Sequence, residues 1–289
     1  MSTQPVELGL VVPPLAGARP AYLMCRPTFY EVDYVINPWM AGNVHASSRE
    51  RAFEQWHHLY REITAIADVE LIEPQIGLPD MVFTANAGLA RNGIVVLSSF
   101  FYPERQREEQ YFRDWFQLFG YNDINVPRET PFEGEGDALF STDGTRLWAG
   151  HGSRSVAMSH HCLAQAWNVE VVSLHLIDPR FYHLDTCFAP LEDGFIMYYP
   201  QAFDPASLAK IEAFYPAAKR IVVSGNDAVR FACNAINIDH TVILNCISAE
   251  LADQLEMRGF NVVPVELGEF LKAGGAAKCL ALRLSPRKE

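Results

Sequence analysis

The 289-residue chain has no apolar run near the ~18 residues that a membrane span requires, so a membrane protein is not expected. Basic residues are few. Lys and Arg number 23 against 35 Asp and Glu, a formal net charge of −12. A chain this acidic repels polyanions, which argues against nucleic acid or anionic lipid as partners. No Lys or Arg precedes Arg19 in the opening stretch, which therefore does not read as a secretory signal, and a cytoplasmic location is expected. Six cysteines (Cys25, Cys162, Cys187, Cys233, Cys246, Cys279) include no C-x-x-C pair, so they are expected to be free thiols. H-x-x-x-H spacing is also absent, and the adjacent His160 and His161 would point to different faces, so no metal site is expected. Phosphate-binding and serine-nucleophile signatures (G-x-G-x-x-G, G-x-x-x-x-G-K-S, G-x-S-x-G) are missing too. What remains is an ordinary globular balance, 49% hydrophobic and 20% charged.

A weak internal repeat is the most informative feature present. Four segments run from a polar or acidic residue through a short apolar stretch to a turn dipeptide and a second apolar stretch. Their turns are Asn92-Gly93, Asp143-Gly144, Asp193-Gly194 and Asp239-His240. Asn-Gly and Asp-Gly accept the positive φ of a tight hairpin. The turns recur at intervals of about fifty residues, a period that indicates a radial or stacked architecture. Helical patterns separate the hairpins at 48–67, 105–119, 155–167, 205–214 and 248–257, each followed by a short stretch rich in β-branched residues. The unit is strand–strand–helix–strand, repeated about five times. The fifth hairpin must join the two ends of the chain, pairing VELGLVVPP or AYLMCRP with CLALRL. The expected fold class is α/β, a five-unit pseudo-symmetric α/β propeller of ββαβ units forming one domain over residues 1–289. A doubly wound parallel sheet and a WD-type propeller fit less well, because each unit carries both a hairpin and a helix.

In each unit the polar residue lies just inside the first hairpin strand. A radial arrangement brings these residues toward one centre: Asp80, Asn86, Glu133, Asp137, His183, Asp185, Asn234 and Cys279. A convergent set of carboxylates with one His and one Cys is a candidate catalytic site. Cys279 follows Gly274-Gly275 and adjoins Lys278, which favours an activated thiol over a core cysteine. His183 and Asp185, two apart, would share one face of a strand. Glu133, Glu135 and Asp137 are interleaved with two glycines, which allow close approach of a ligand or backbone. Arg105 and Arg154 follow hairpins and suit a substrate carboxylate; the bland reading of each is a surface arginine.

As an ordered set these segments resemble the guanidino-group-modifying enzymes of the pentein superfamily, from RPTFYEVDYVINPWM at 26–40 to AAKCLALRL at 276–284. The resemblance implies the five-unit propeller, a Cys279 nucleophile, a His183 acid–base group and a supporting acid at Glu133, with the neighbouring Glu135 as the alternative. It also implies Asp80, Phe83, Asp185, Arg105, Arg154 and Asn37 as substrate contacts and Asn86 as a catalytic position. Hydrolases acting on methylated arginine carry Glu-Asp where this chain has Ala85-Asn86, and the asparagine is similar to the arginine dihydrolase branch.

The chemistry implied is attack by a thiolate on a flat guanidinium held by carboxylates, through a covalent amidino-thioether, with no cofactor. An amide both donates and accepts, so Asn86 suits a neutral ureido group awaiting a second hydrolysis. The expected products from arginine are ornithine, ammonia and carbon dioxide. A single-step deiminase or dimethylaminohydrolase, an amidinotransferase, and a non-enzymatic binding propeller are the alternatives. The partner is a small guanidino substrate, and a homo-oligomer is compatible with the sequence.

Overall fold

The computed structural model of the protein describes residues 19–284, which form a mixed α/β fold. Strand β1 (Ala21–Cys25) leads through a long loop and the helix Arg49–Ile66 to β2 (Asp68–Ile72), which lies parallel to it. Then β3 (Gly88–Arg91) and β4 (Ile94–Leu97) form an antiparallel hairpin, and the helix Glu108–Leu118 carries the chain to β5 (Asn122–Asn125), parallel to β4. The same plan recurs as β6 (Ala138–Phe140), β7 (Arg146–His151) and β8 (Glu170–His175). It recurs again as β9 (Phe188–Leu191), β10 (Phe195–Tyr198) and β11 (Arg220–Val222), and as β12 (Ile236–Ile238), β13 (Thr241–Leu244) and β14 (Asn261–Pro264). Finally β15 (Leu282–Leu284) returns to pair antiparallel with β1, Leu23 opposite Leu282. The result is five three-stranded sheets, each with its central strand between one antiparallel and one parallel neighbour. Of the two expected pairings of the chain ends, AYLMCRP with CLALRL is present; VELGLVVPP lies outside the described residues.

Local chemistry explains the elements. The central strands are nearly continuous apolar runs, Val95–Leu97 and Ile196–Tyr198 among them, because both faces are covered. The parallel third strand needs a long crossover, and the helix supplies it. Arg49–Ile66 buries Ala52, Trp56, Leu59 and Ile63 at spacings of one face and is capped by the Ser48 hydroxyl, which accepts from Arg51 N at 3.3 Å. Asp204 and Ser248 cap the later helices in the same way. The helix expected at 105–119 is broken at Arg107 into Pro103–Gln106 and Glu108–Leu118. That expected from Ser155 begins at His160, because Ser155 is drawn inward to bond Asp137.

The hairpin expectation needs correction in two places. Asn92-Gly93 and Asp193-Gly194 have positive φ at both positions. At Asp143-Gly144 only Gly144 does, and the Asp143 carboxylate staples a wider loop by accepting from Ser141 Oγ and Thr145 N. At the last hairpin Asp239 alone has positive φ.

A second correction bears on the site. The polar residues do not lie inside the hairpin strands. They sit in tight turns just before them: Thr84–Ala87, Gly134–Gly136, Leu184–Thr186, the Cys233–Ala235 bend and the Ala277–Leu280 turn. Hydrogen bonds link these turns in sequence. Asn86 Nδ2 donates to Glu133 O (3.2 Å), Leu184 N to Asp137 Oδ1 (3.1 Å), and Asn234 Nδ2 to Asp185 O (3.3 Å). Lys278 N donates to Asn234 O (3.3 Å), and Ala85 N to Cys279 O (3.1 Å).

Gly134 shows how closely the turns approach. Its φ is +64°, and an added Cβ would lie 2.6 Å from Ala85 O. Gly93 has φ +74° with open space around it. Gly93→Ala should therefore cost about 1 kcal/mol from backbone strain alone, and Gly134→Ala roughly 3 kcal/mol, measured by urea unfolding. Equal losses would mean that the turn contact contributes nothing.

Candidate active site

Seven of the residues singled out in the sequence, Asn37, Asp80, Phe83, Asn86, Arg105, Arg154 and Cys279, line one narrow cavity. Glu133, His183 and Asp185 are buried beside them. Glycine again permits the approach. A Cβ on Gly275 would lie 2.4 Å from the Phe83 ring, and one on Gly136 would lie 2.4 Å from Asn86 Nδ2.

The Cys279 sulfur meets two groups. Its thiol donates to Asp185 Oδ2 at 3.4 Å, and Asn234 Nδ2 donates to it at 3.1 Å. Burial first, and then the Asp185 carboxylate, push the thiol well above its ordinary range. The sequence expects the neighbouring Lys278 to activate this thiol. The Lys278 ammonium is turned instead to Glu135 and Ala281 O. That pairing also separates the two candidate acids. Glu135 accepts from Lys278 and Arg283 N, whereas Glu133 Oε2 lies 2.7 Å from His183 Nε2 and 2.8 Å from Arg154 Nη1. Burial acts to raise the Glu133 carboxyl, but Arg154 and His183 outweigh it and hold the group well below the usual carboxylate range.

His183 and Asp185 reach the site by a different route from the shared strand face. His183 is extended, and Asp185 sits in the following 3₁₀ turn, which bends the backbone toward the cavity. Asp80 and Asp185 each have one carboxylate oxygen buried without a hydrogen-bond partner. Tyr34 donates to the other oxygen of Asp80 at 2.9 Å. Burial raises both acids, Asp185 to about 7 despite Lys278 nearby. Two buried carboxylates with orphan oxygens are suited to a cation rich in N–H groups.

The arginines are already engaged. Arg105 makes a two-pronged bond to the fully buried Glu108 (Nε–Oε1 3.0 Å, Nη2–Oε2 2.8 Å) and donates to Asn86 Oδ1 at 2.8 Å. Arg154 also donates to Ile36 O and lies over the Tyr102 and Tyr182 rings. Asn37 spends its amide on backbone, donating to Ala273 O and accepting from Trp39 N. Among the described residues, no group of three His, Cys, Asp or Glu side chains is placed to hold a metal.

Sequence reasoning assigned nothing to Tyr34, Glu108, Ser155 or Tyr182. Glu108 did carry a signal, because it shares the buried helix stripe with Phe112, Trp115 and Phe116. An acid on an apolar stripe needs a buried cation.

The Glu133 contacts predict a pH-dependent stability. A carboxylate held below its unfolded value stabilises the fold above that value and loses the contribution as pH falls toward its folded value. Glu133→Gln should cost about 3–5 kcal/mol at pH 7, because Arg154 is left without its buried partner. The gap from wild type should narrow as pH falls below about 4. Urea unfolding at both pH values measures it, and a pH-independent gap would contradict the assignment.

No family profile matches the chain. It is 55% identical over 263 residues to the bifunctional arginine dihydrolase/ornithine cyclodeaminase ArgZ of Synechocystis, covering 91% of this chain and 37% of that protein. The chain thus spans well under half the length of that relative. It is 41% identical over 266 residues to the N(G),N(G)-dimethylarginine dimethylaminohydrolase of Mycobacterium tuberculosis, covering 92% of this chain and 86% of the relative. The fold superposes on the N-terminal domain of ArgZ, a cysteine-to-serine variant bound to substrate, with a TM-score of 0.92 and 54% identity over 93% of this chain and 99% of that one. An asparagine-to-serine variant of the same domain, covalently bound to a reaction intermediate, matches with the same TM-score and identity over 93% of this chain and 98% of that one. The chain belongs to the guanidino-group-modifying enzymes of the pentein superfamily.

Proposed function

We infer that this chain hydrolyses the guanidino group of arginine twice, as an arginine dihydrolase yielding ornithine, two ammonia and carbon dioxide. The observation that carries the reading is the pair of orphan oxygens on Asp80 and Asp185 beside the Cys279 thiol. Support also comes from the ArgZ domain, whose varied asparagine and varied cysteine are separated by the same number of residues as Asn86 and Cys279. The five units are read as a closed propeller within one catalytic domain. The pairing of β1 with β15 and the chain of turn-to-turn hydrogen bonds support that arrangement.

The substrate guanidinium enters between Asp80 and Asp185 and offers N–H donors and positive charge to their unpartnered oxygens. It takes Asp185 away from the thiol and favours the thiolate, and the thiol proton passes to His183. Sulfur attacks the guanidinium carbon, a C–S bond forms, and one C–N bond breaks. The departing nitrogen takes its proton from His183, held by Glu133, and leaves as ammonia. Water, deprotonated by His183, adds to the same carbon and expels the thiolate, giving the ureido compound. A second attack at its carbonyl releases the second ammonia, and a second water releases a carbamate that decomposes to ornithine and carbon dioxide. Arg105 and Arg154, on the cavity wall, hold the α-carboxylate while keeping their buried acid partners, and Phe83 and Asn37 shape the wall.

Asn86 decides whether the ureido compound is held. Its carbonyl is taken by Arg105, which accepts nothing, so the NH₂ must face inward, and only one of its N–H groups is used on Glu133 O. In Asn86→Asp the new charge would be neutralised by Arg105. The effect therefore comes from losing the amide donor, about 1–3 kcal/mol, or roughly tenfold in partition. Wild type should give about two ammonia per arginine, and the variant closer to one, with citrulline accumulating. Citrulline as the sole wild-type product would replace this reading with a single-step deiminase. Preference for methylated arginine would favour the activity named for the mycobacterial relative. An active Cys279→Ser enzyme would remove the nucleophile from the scheme.

A further inference from the structure

We propose that Asn234 is a further catalytic residue, whose side-chain amide donates a hydrogen bond to the Cys279 sulfur and stabilises it as the attacking and leaving thiolate. The proposal rests on Cys279 being the nucleophile.

The contact is directional. Cys279 N–H donates to Asn234 Oδ1 at 3.1 Å, so the carbonyl end of the amide must face the backbone. The NH₂ end is left to face the sulfur at 3.1 Å and Asp185 O at 3.3 Å. A backbone donor thus dictates which way the amide points, and Asn234 O accepts from Lys278 N as well. The side chain is completely buried, so no water competes for the contact. One amide therefore grips the nucleophile residue at both its backbone and its sulfur.

Its two neighbours at the sulfur pull in opposite directions. Asp185 Oδ2 accepts from the thiol and favours the protonated form. Asn234 can only donate to it and favours the thiolate. Once a guanidinium occupies Asp185, the amide remains as a donor on the sulfur. Lys278 is next in sequence, but its ammonium lies on Glu135. A neutral donor has an advantage there. A cation against the sulfur would repel the incoming guanidinium, whereas an amide stabilises the anion without that cost. The same contact assists expulsion of the sulfur when water adds to the intermediate.

Two readouts test this besides turnover. The first is iodoacetamide alkylation of Cys279 in the substrate-free protein against pH, mapped by peptide mass spectrometry. In Asn234→Ala, and in the isosteric Asn234→Asp, the alkylation midpoint should move up by about one to two pH units, with turnover of arginine falling about tenfold or more. The second uses unsubstituted Asn234. Its side-chain NH₂ resonance should titrate with the alkylation midpoint in wild type and stay fixed in Cys279→Ala. This measurement stands if the Asn234 variants do not fold. An unmoved alkylation midpoint in a folded variant, or an Asn234 resonance that ignores thiol ionisation, would overturn the proposal and leave the nucleophile intact. Turnover by Cys279→Ser would instead overturn the nucleophile, and this role with it.

Discussion

A single buried carboxylate, Glu133, organises the site. Its Oε2 faces His183 and Arg154, and its Oε1 accepts from Phe101 N at 3.1 Å. Burying a charge is tolerable only when both oxygens are hydrogen-bonded and an opposite charge is close, and both conditions are met. The consequences spread outward. His183 is oriented through its Nε2 contact with Glu133. Arg154 is tied across to Ile36 O, which brings the loop between β1 and the first helix onto the cavity. The backbone carbonyl of the same residue accepts from the Asn86 amide. One residue thus couples His183, a cationic wall and Asn86.

The second organising feature is a balance of charge. Glu108 faces Arg105, Glu133 faces Arg154, and Glu135 faces Lys278, so three buried cations are each matched by an acid. Asp80 and Asp185 are not matched to the same degree. Each retains a bare oxygen, and burial raises both. Under the proposed function a guanidinium supplies the matching positive charge, and substrate binding and activation of Cys279 become one event.

Turns of very short radius make the convergence feasible. The functional groups leave the backbone before the strands begin, where glycines at 134, 136, 274 and 275 let neighbouring units approach to distances that a Cβ would forbid. Sheets of only three short strands suffice as supports, because each turn is hydrogen-bonded to the next.

Much of this was legible in the residues. The fifty-residue period, the turn dipeptides and the helical patterns between them declare the repeated unit, since each is a local preference of backbone or side chain. The ordered polar residues mark a candidate site, because Cys279, His183 and Glu133 are an unusual set to bury together. Other features depend on contacts between distant segments. The choice of Glu133 over Glu135 turns on where Lys278 points, 143 residues away in the chain. The upward push on the Cys279 thiol comes from burial and Asp185, groups that only folding brings to it. Glu108, Tyr34 and Asn234 gain their importance from the partners that folding delivers. Sequence by itself determined the unit, its repetition and the chemical inventory, because these rest on short-range preferences. Tertiary structure alone decided which charges meet and which oxygens stay bare, because electrostatic pairing in a buried site depends on distance in space and on the exclusion of water.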